Sequence, residues 1–183
     1  MRLTPIVAAL LVAAPAGASV VVAESLGELV GHASLVVQGT VGRQASAWEG
    51  GHIVTRTTVS VARSLKGSAP RTVVVETLGG VVGDVGQVAS GEAALTPGEE
   101  VVLLLEPAGE GWRAVGMAQG VFHVRADLSG SRVASQEVAG LAVASPGREG
   151  LQIDEAAPAS LPLEDLLARI GRLVHDAGSA QRR

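Results

Sequence analysis

HIVTRTTVSVAR, His52 to Arg63, alternates with a period of two: Ile53, Thr55, Thr57, Val59 and Val61 fall on one side, Arg56, Thr58, Ser60 and Ala62 on the other. Successive side chains leave opposite faces of a strand, so the stretch predicts a long strand with one face in a core and one toward water. The next segment, SLKGSAP, carries Gly67 and Pro70 and predicts a turn. RTVVVETL, residues 71–78, predicts another strand. Upstream, SLVVQGTV at 34–41 is β-branched and predicts the preceding strand, with GRQASAWEGG at 42–51 as a loop or an extension of it.

PGEEVVLLLE, Pro97 to Glu106, opens on a turn signal and continues as an unbroken apolar run. Its length suits a strand buried on both faces better than a helix. WRAVGMAQGVFHV, 112–124, predicts the return strand of a hairpin, with Gly116 and Gly120 marking a bulge or bend. After Asp127 the pattern weakens: one more hairpin is expected, then an irregular connection over 141–161. The chain thus predicts a mainly-β domain over residues 25–140.

Helices are expected at its two ends. Ser25 and Glu28 have the Ser-x-x-Glu spacing of a capping box, ahead of Leu26, Leu29 and Val30. Over 162–177, Leu163, Leu166, Leu167, Ile170, Leu173 and Val174 make one stripe, with Glu164 and Asp165 in the first turn, Arg172 and His175 near the end and Gly178 as the stop.

The 183-residue chain carries 14 Lys+Arg against 18 Asp+Glu, a net charge of −4, and lacks the basic patch of a nucleic-acid binder. Trp48, Trp112 and Phe122 are its full aromatic set, too few for a stacking platform. It has no cysteine, so neither a disulfide nor a cysteine nucleophile is available. At the N-terminus, Arg2, an uncharged run over 3–14 and Ala16-Gly17-Ala18 predict a signal peptide over 1–18, with an alternative cut after Ala23. The expected setting is therefore exported, periplasmic or extracellular, with no membrane span in the mature chain.

Sites of chemistry are sparse. TLGGVVGDVG, Thr77 to Gly86, follows a strand as a phosphate-cradling loop would, but VGQVASGEAAL at 85–95 has no helical period, so no helix N-terminus is expected to face an anion. The stretch reads as a glycine-rich β-connection. His32, His52, His123 and His175 share no ligand spacing, although His52 and His123 could meet if their strands were neighbours. No metal, cofactor or catalytic residue is expected, and there is no Gly-x-Ser-x-Gly elbow. Glu99 and Glu100 are adjacent and so face opposite sides of a strand, unsuited to joint acid–base work. The candidate contact residues are Trp48, as a loop anchor or alternatively a plug, and Arg56, Thr58 and Ser60 on the wetter strand face.

LVVQGTV, TRTTVSVARSLKG, TVVVETLGG, PGEEVVLLLE and WRAVGMAQGVFHV, taken in order, resemble a family of small, uncharacterised bacterial secreted β-barrel proteins. Leu65-Lys66-Gly67 and Gly98-Glu99-Glu100 match its turn and strand start. That layout is similar to the netrin-type module, the OB-like barrel of the tissue inhibitors of metalloproteinases. The resemblance spans residues 25–125 and implies an OB-like barrel of about five strands that binds another exported protein, a protease among the candidates. Netrin-type inhibitors place an N-terminal cysteine on the protease metal, and this chain has none, so that mechanism does not transfer. A structural or assembly role in the cell envelope is the alternative, and a hydrolase with an unrecognised site the distant one.

Overall fold

The structure is a computed structural model that describes residues 20–138, 142–147, 150–155 and 160–180. The expected signal peptide, 1–18, lies outside them. The chain is mainly β. In order, the elements are β1 (Val20–Val22), α1 (Leu26–His32), β2 (Leu35–Glu49), β3 (His52–Lys66), β4 (Thr72–Val82), β5 (Val85–Val88), β6 (Glu100–Ala108), β7 (Gly111–Ala114), a 3-10 turn (Met117–Gly120), β8 (Val121–Ala126), β9 (Arg132–Gln136), β10 (Ala142–Gly147), β11 (Gly150–Glu155), β12 (Ser160–Pro162) and α2 (Leu163–Ala180).

The long strand read from alternation is β3, and GRQASAWEGG is an extension: β2 and β3 form a hairpin of two 15-residue strands turning at Gly50 and Gly51. The main sheet runs β12-β9-β8-β6-β2-β3-β4-β5, with β7 paired to both β6 and β4. The circuit β2-β3-β4-β7-β6 therefore returns to its start, a ring of five strands whose last link is one bridge, Val75 to Trp112.

β6 explains its own unbroken apolar run. Val101, Leu103 and Leu105 face the ring interior with Leu35, Val37, Val59, Val73 and Val75. Val102 and Leu104 face the other way, into a second core with Val36, Phe122, Val124, Leu29 of α1 and Leu163, Leu166 and Ile170 of α2. Both helices therefore pack on the outside of the ring, over β2, β6 and β8. α1 begins as expected: Ser25 Oγ accepts from Glu28 N–H at 3.2 Å and Glu28 Oε2 accepts from Ser25 N–H at 2.7 Å.

Three expectations need correction. The return strand after β6 is two strands, β7 and β8, separated by the 3-10 turn that Gly116 enters at φ +61°. That break sends β7 toward β4 and leaves β8 on β6, a divergence no straight strand could make. The connection expected to be irregular contains β10 and β11, which pair antiparallel, with β1 alongside β10 in parallel. Pro146 of β10 lies beyond the β1 pairing, which ends at Ala144. α2 runs past the expected stop at Gly178 to Ala180. A helical glycine costs about 1 kcal/mol relative to alanine and ends a helix only when it takes a left-handed cap conformation.

Candidate partner-binding surface

Register divides the four candidate residues between two faces. Trp48 pairs with Ile53, which is fully buried, so it belongs to the inner face of the β2–β3 hairpin. Arg56, Thr58 and Ser60 belong to the outer face. Trp48 lies in a strand rather than a loop, and at 51 % exposure it does not plug the ring.

The outer-face residues are engaged within the sheet. Arg56 sits opposite Glu76 in the β3–β4 register and donates from Nε to Glu76 Oε1 at 2.9 Å. It also donates from Nη2 to Glu49 Oε2 at 2.9 Å, and from Nη1 to the other oxygen of Glu49. The hydrogen bonds to Glu49, then those to Glu76, push the guanidinium further above its ordinary range. Thr58 Oγ1 donates to the Arg43 carbonyl at 3.1 Å. Ser60 is exposed between Thr40 and Thr72.

The glycine stretch shapes the neighbouring end of the ring. Gly79 and Gly80 take φ of +96° and +132°, and a Cβ on Gly80 would lie 2.3 Å from Thr55 Oγ1 and 2.6 Å from Ser46 Oγ. Only a residue without a side chain lets β4 cross the β2–β3 hairpin this closely. Gly83, at φ +60°, is the first centre of a two-residue turn, Val82 pairing with Val85, which suits a II′ hairpin. A strand, β5, follows where a phosphate loop would need a helix. Gln87 of β5 accepts from Ile53 N–H at 2.9 Å, holding the hairpin beside the start of β3.

This end is apolar and open to solvent. Of the seven large hydrophobic residues exposed among the described residues, five lie here: Trp48, Leu78, Val81, Val85 and Val88, the last 94 % exposed; Val22 and Leu128 are the other two. β5 pairs with β4 and ends the sheet path, so among the described residues its second edge has no strand partner. Individual exposed apolar residues are ordinary, whereas a concentration of them is a feature that contact surfaces share. The sequence holds a faint trace of this concentration in the valines spaced along VVGDVGQV.

Beside this end, where β4 parts from β7 after their single bridge, a cleft of about 210 Å³ is lined by Val54, Glu76, Thr77, Leu78, Glu92, Ala108 and Arg113. Burial raises the pKa of Glu92, opposed by a hydrogen bond from Leu78 N–H and the positive charge of Arg113. Arg113 itself is 2.7 Å from Glu106 Oε1.

His52 and His123 do not meet: β2 and β6 stand between their strands. His123 is 2 % exposed, and its Nδ1 is 2.9 Å from Glu99 Oε1. Among the described residues, neither His123 Nδ1 nor Glu99 Oε2, both buried, has a hydrogen-bond partner. Arg125 donates to the same Glu99 oxygen at 3.2 Å. Among the described residues no group of three or more His, Cys, Asp or Glu could hold a metal, and no helix is long and apolar enough to cross a membrane.

No family model matches the chain, and no curated protein matches it either.

Proposed function

We propose that this chain is an exported, non-enzymatic protein-binding module on an OB-like, netrin-type barrel, which docks another exported protein through the open end formed by β2, β4 and β5. The closed five-strand circuit supports the barrel reading. The observation that carries the binding reading is the gathering of Trp48, Leu78, Val81, Val85 and Val88 at one end of the sheet. Arg56 joins this surface as an ion-paired outer-face residue, its charge already met by Glu49 and Glu76. The resemblance makes a secreted protease the first partner to try.

The test is capture from culture supernatant by the tagged mature protein, with the recovered partner then purified and titrated. Stoichiometric binding that Trp48→Ala and Val88→Asp weaken, and that Leu128→Ser leaves intact, is expected. Binding that all three variants retain would place the contact elsewhere. Turnover of a hydrolase substrate panel by a partner-free protein would overturn the non-enzymatic reading.

A further inference from the structure

We propose that the cleft between β4 and β7 receives one basic side chain, Lys or Arg, from an apolar segment of the partner that covers the open end. This inference rests on the binding reading and specifies the chemistry of what binds. At about 210 Å³ the cleft is smaller than the roughly 300–1,000 Å³ of sites that enclose whole cofactors or drug-sized ligands, and fits a single long side chain. Part of its lining is apolar, Val54, Leu78 and Ala108, which suits the methylene stem of such a side chain.

The charges around it favour a cation. The charged groups that line it are two carboxylates, Glu76 and Glu92, against one guanidinium, Arg113. Arg113 is bonded to Glu106, and Glu76 to Arg56, which leaves Glu92 as the lining carboxylate without a bonded cation. Glu92 makes no ion pair within 4.0 Å among the described residues. An arriving ammonium or guanidinium would supply the missing counter-charge in a partly desolvated setting, where such pairs are stronger than on open surface. Leu78 joins the two surfaces, since it lines the cleft and belongs to the exposed apolar end.

The experiment titrates the isotope-labelled mature protein with short acetylated and amidated peptides that carry one Lys, one Gln or one Glu between valines, observed by NMR. The expected result is that the Lys peptide shifts the Leu78 amide and Val54 methyls and binds about tenfold more tightly than the Gln peptide. Glu92→Gln should abolish that preference while shifts at Val81, Val85 and Val88 persist. Equal binding of all three peptides, with shifts confined to Val81, Val85 and Val88, would sink the cleft proposal and leave the open-end reading standing. Absence of shifts in both regions would overturn both. Thermal unfolding of Glu92→Gln confirms that the variant compared is folded.

Discussion

Lys66 Nζ donates to the carbonyl oxygen of Val30 at 2.7 Å and of Gly31 at 3.3 Å, so the lysine of the Leu-Lys-Gly turn closes the C-terminal end of α1. The last carbonyls of a helix lack intrahelical donors and carry its negative pole, which a cation satisfies twice over. Gly67 completes the arrangement at φ +71°, where a Cβ would lie 2.7 Å from Ser34 O. That Leu-Lys-Gly turn is thus a joint between the hairpin and the helix. Lys66→Met keeps the stem and removes the donor; we expect a loss of about 1.5–3 kcal/mol, read by denaturant unfolding. An unchanged midpoint would mean that water replaces the lysine without cost.

Gln119 ties down the N-terminal segment. Its Nε2 donates to Val22 O at 3.0 Å and its Oε1 accepts from Glu24 N–H at 3.0 Å, and the side chain is buried. Gln119→Leu should cost about 1–3 kcal/mol, by leaving both backbone groups without their partner, and should speed limited proteolysis ahead of α1. The same tie bears on the proposed export: a cut after Ala23 would remove β1, whereas a cut after Ala18 keeps it. If the chain is exported as proposed, intact-mass measurement of the secreted form should find Ser19 as the first residue.

Glu92 gives a pH dependence of definite sign. Burial raises its folded-state pKa above the ordinary 4.5, so folded chains keep the proton at pH values where unfolded chains have lost it. The group therefore costs no stability below about 4.5, and stability falls as pH rises through the folded-state value. Glu92→Gln should be more stable than the parent at neutral pH, with the difference shrinking as pH is lowered toward 4.5. Paired thermal melts check it; a parent that gains on the variant with rising pH contradicts the assignment.

Two apolar substitutions should separate core from contact surface. Leu104→Ala empties a fully buried site under α1 and α2, and should cost about 2–5 kcal/mol. Val88→Ser, on an almost fully exposed residue, should change stability by less than about 0.5 kcal/mol and show its effect in partner binding. A large stability loss from Val88→Ser would make β5 a structural strand instead of a docking edge.

Legibility in the sequence tracks the range of the interaction involved. The alternation of β3, the two-faced burial of β6 and the Ser25–Glu28 cap are set by neighbours within a few residues, and each could be read directly. Ring closure rests on Val75 meeting Trp112, a pairing that no local pattern encodes. The same holds for the partition of Trp48 from Arg56: only the register with Ile53 and with Ala45 reveals their opposite faces. Glu92 and His123 were opaque for a related reason, since a lone carboxyl or imidazole in sequence carries no sign of its burial. β10 and β11 were hidden by Pro146, Gly147 and Gly150, residues that read locally as a loop.

β6 places alternate residues of one strand in both cores, Val101, Leu103 and Leu105 in the ring and Val102 and Leu104 under the helices. Loosening either core therefore strips one side of the strand that supports the other, and neither layer can melt while its neighbour stays native. The molecule should unfold in a single all-or-none step, and the amides of residues 101–105 should be among the last to exchange with solvent, at the free energy of global unfolding.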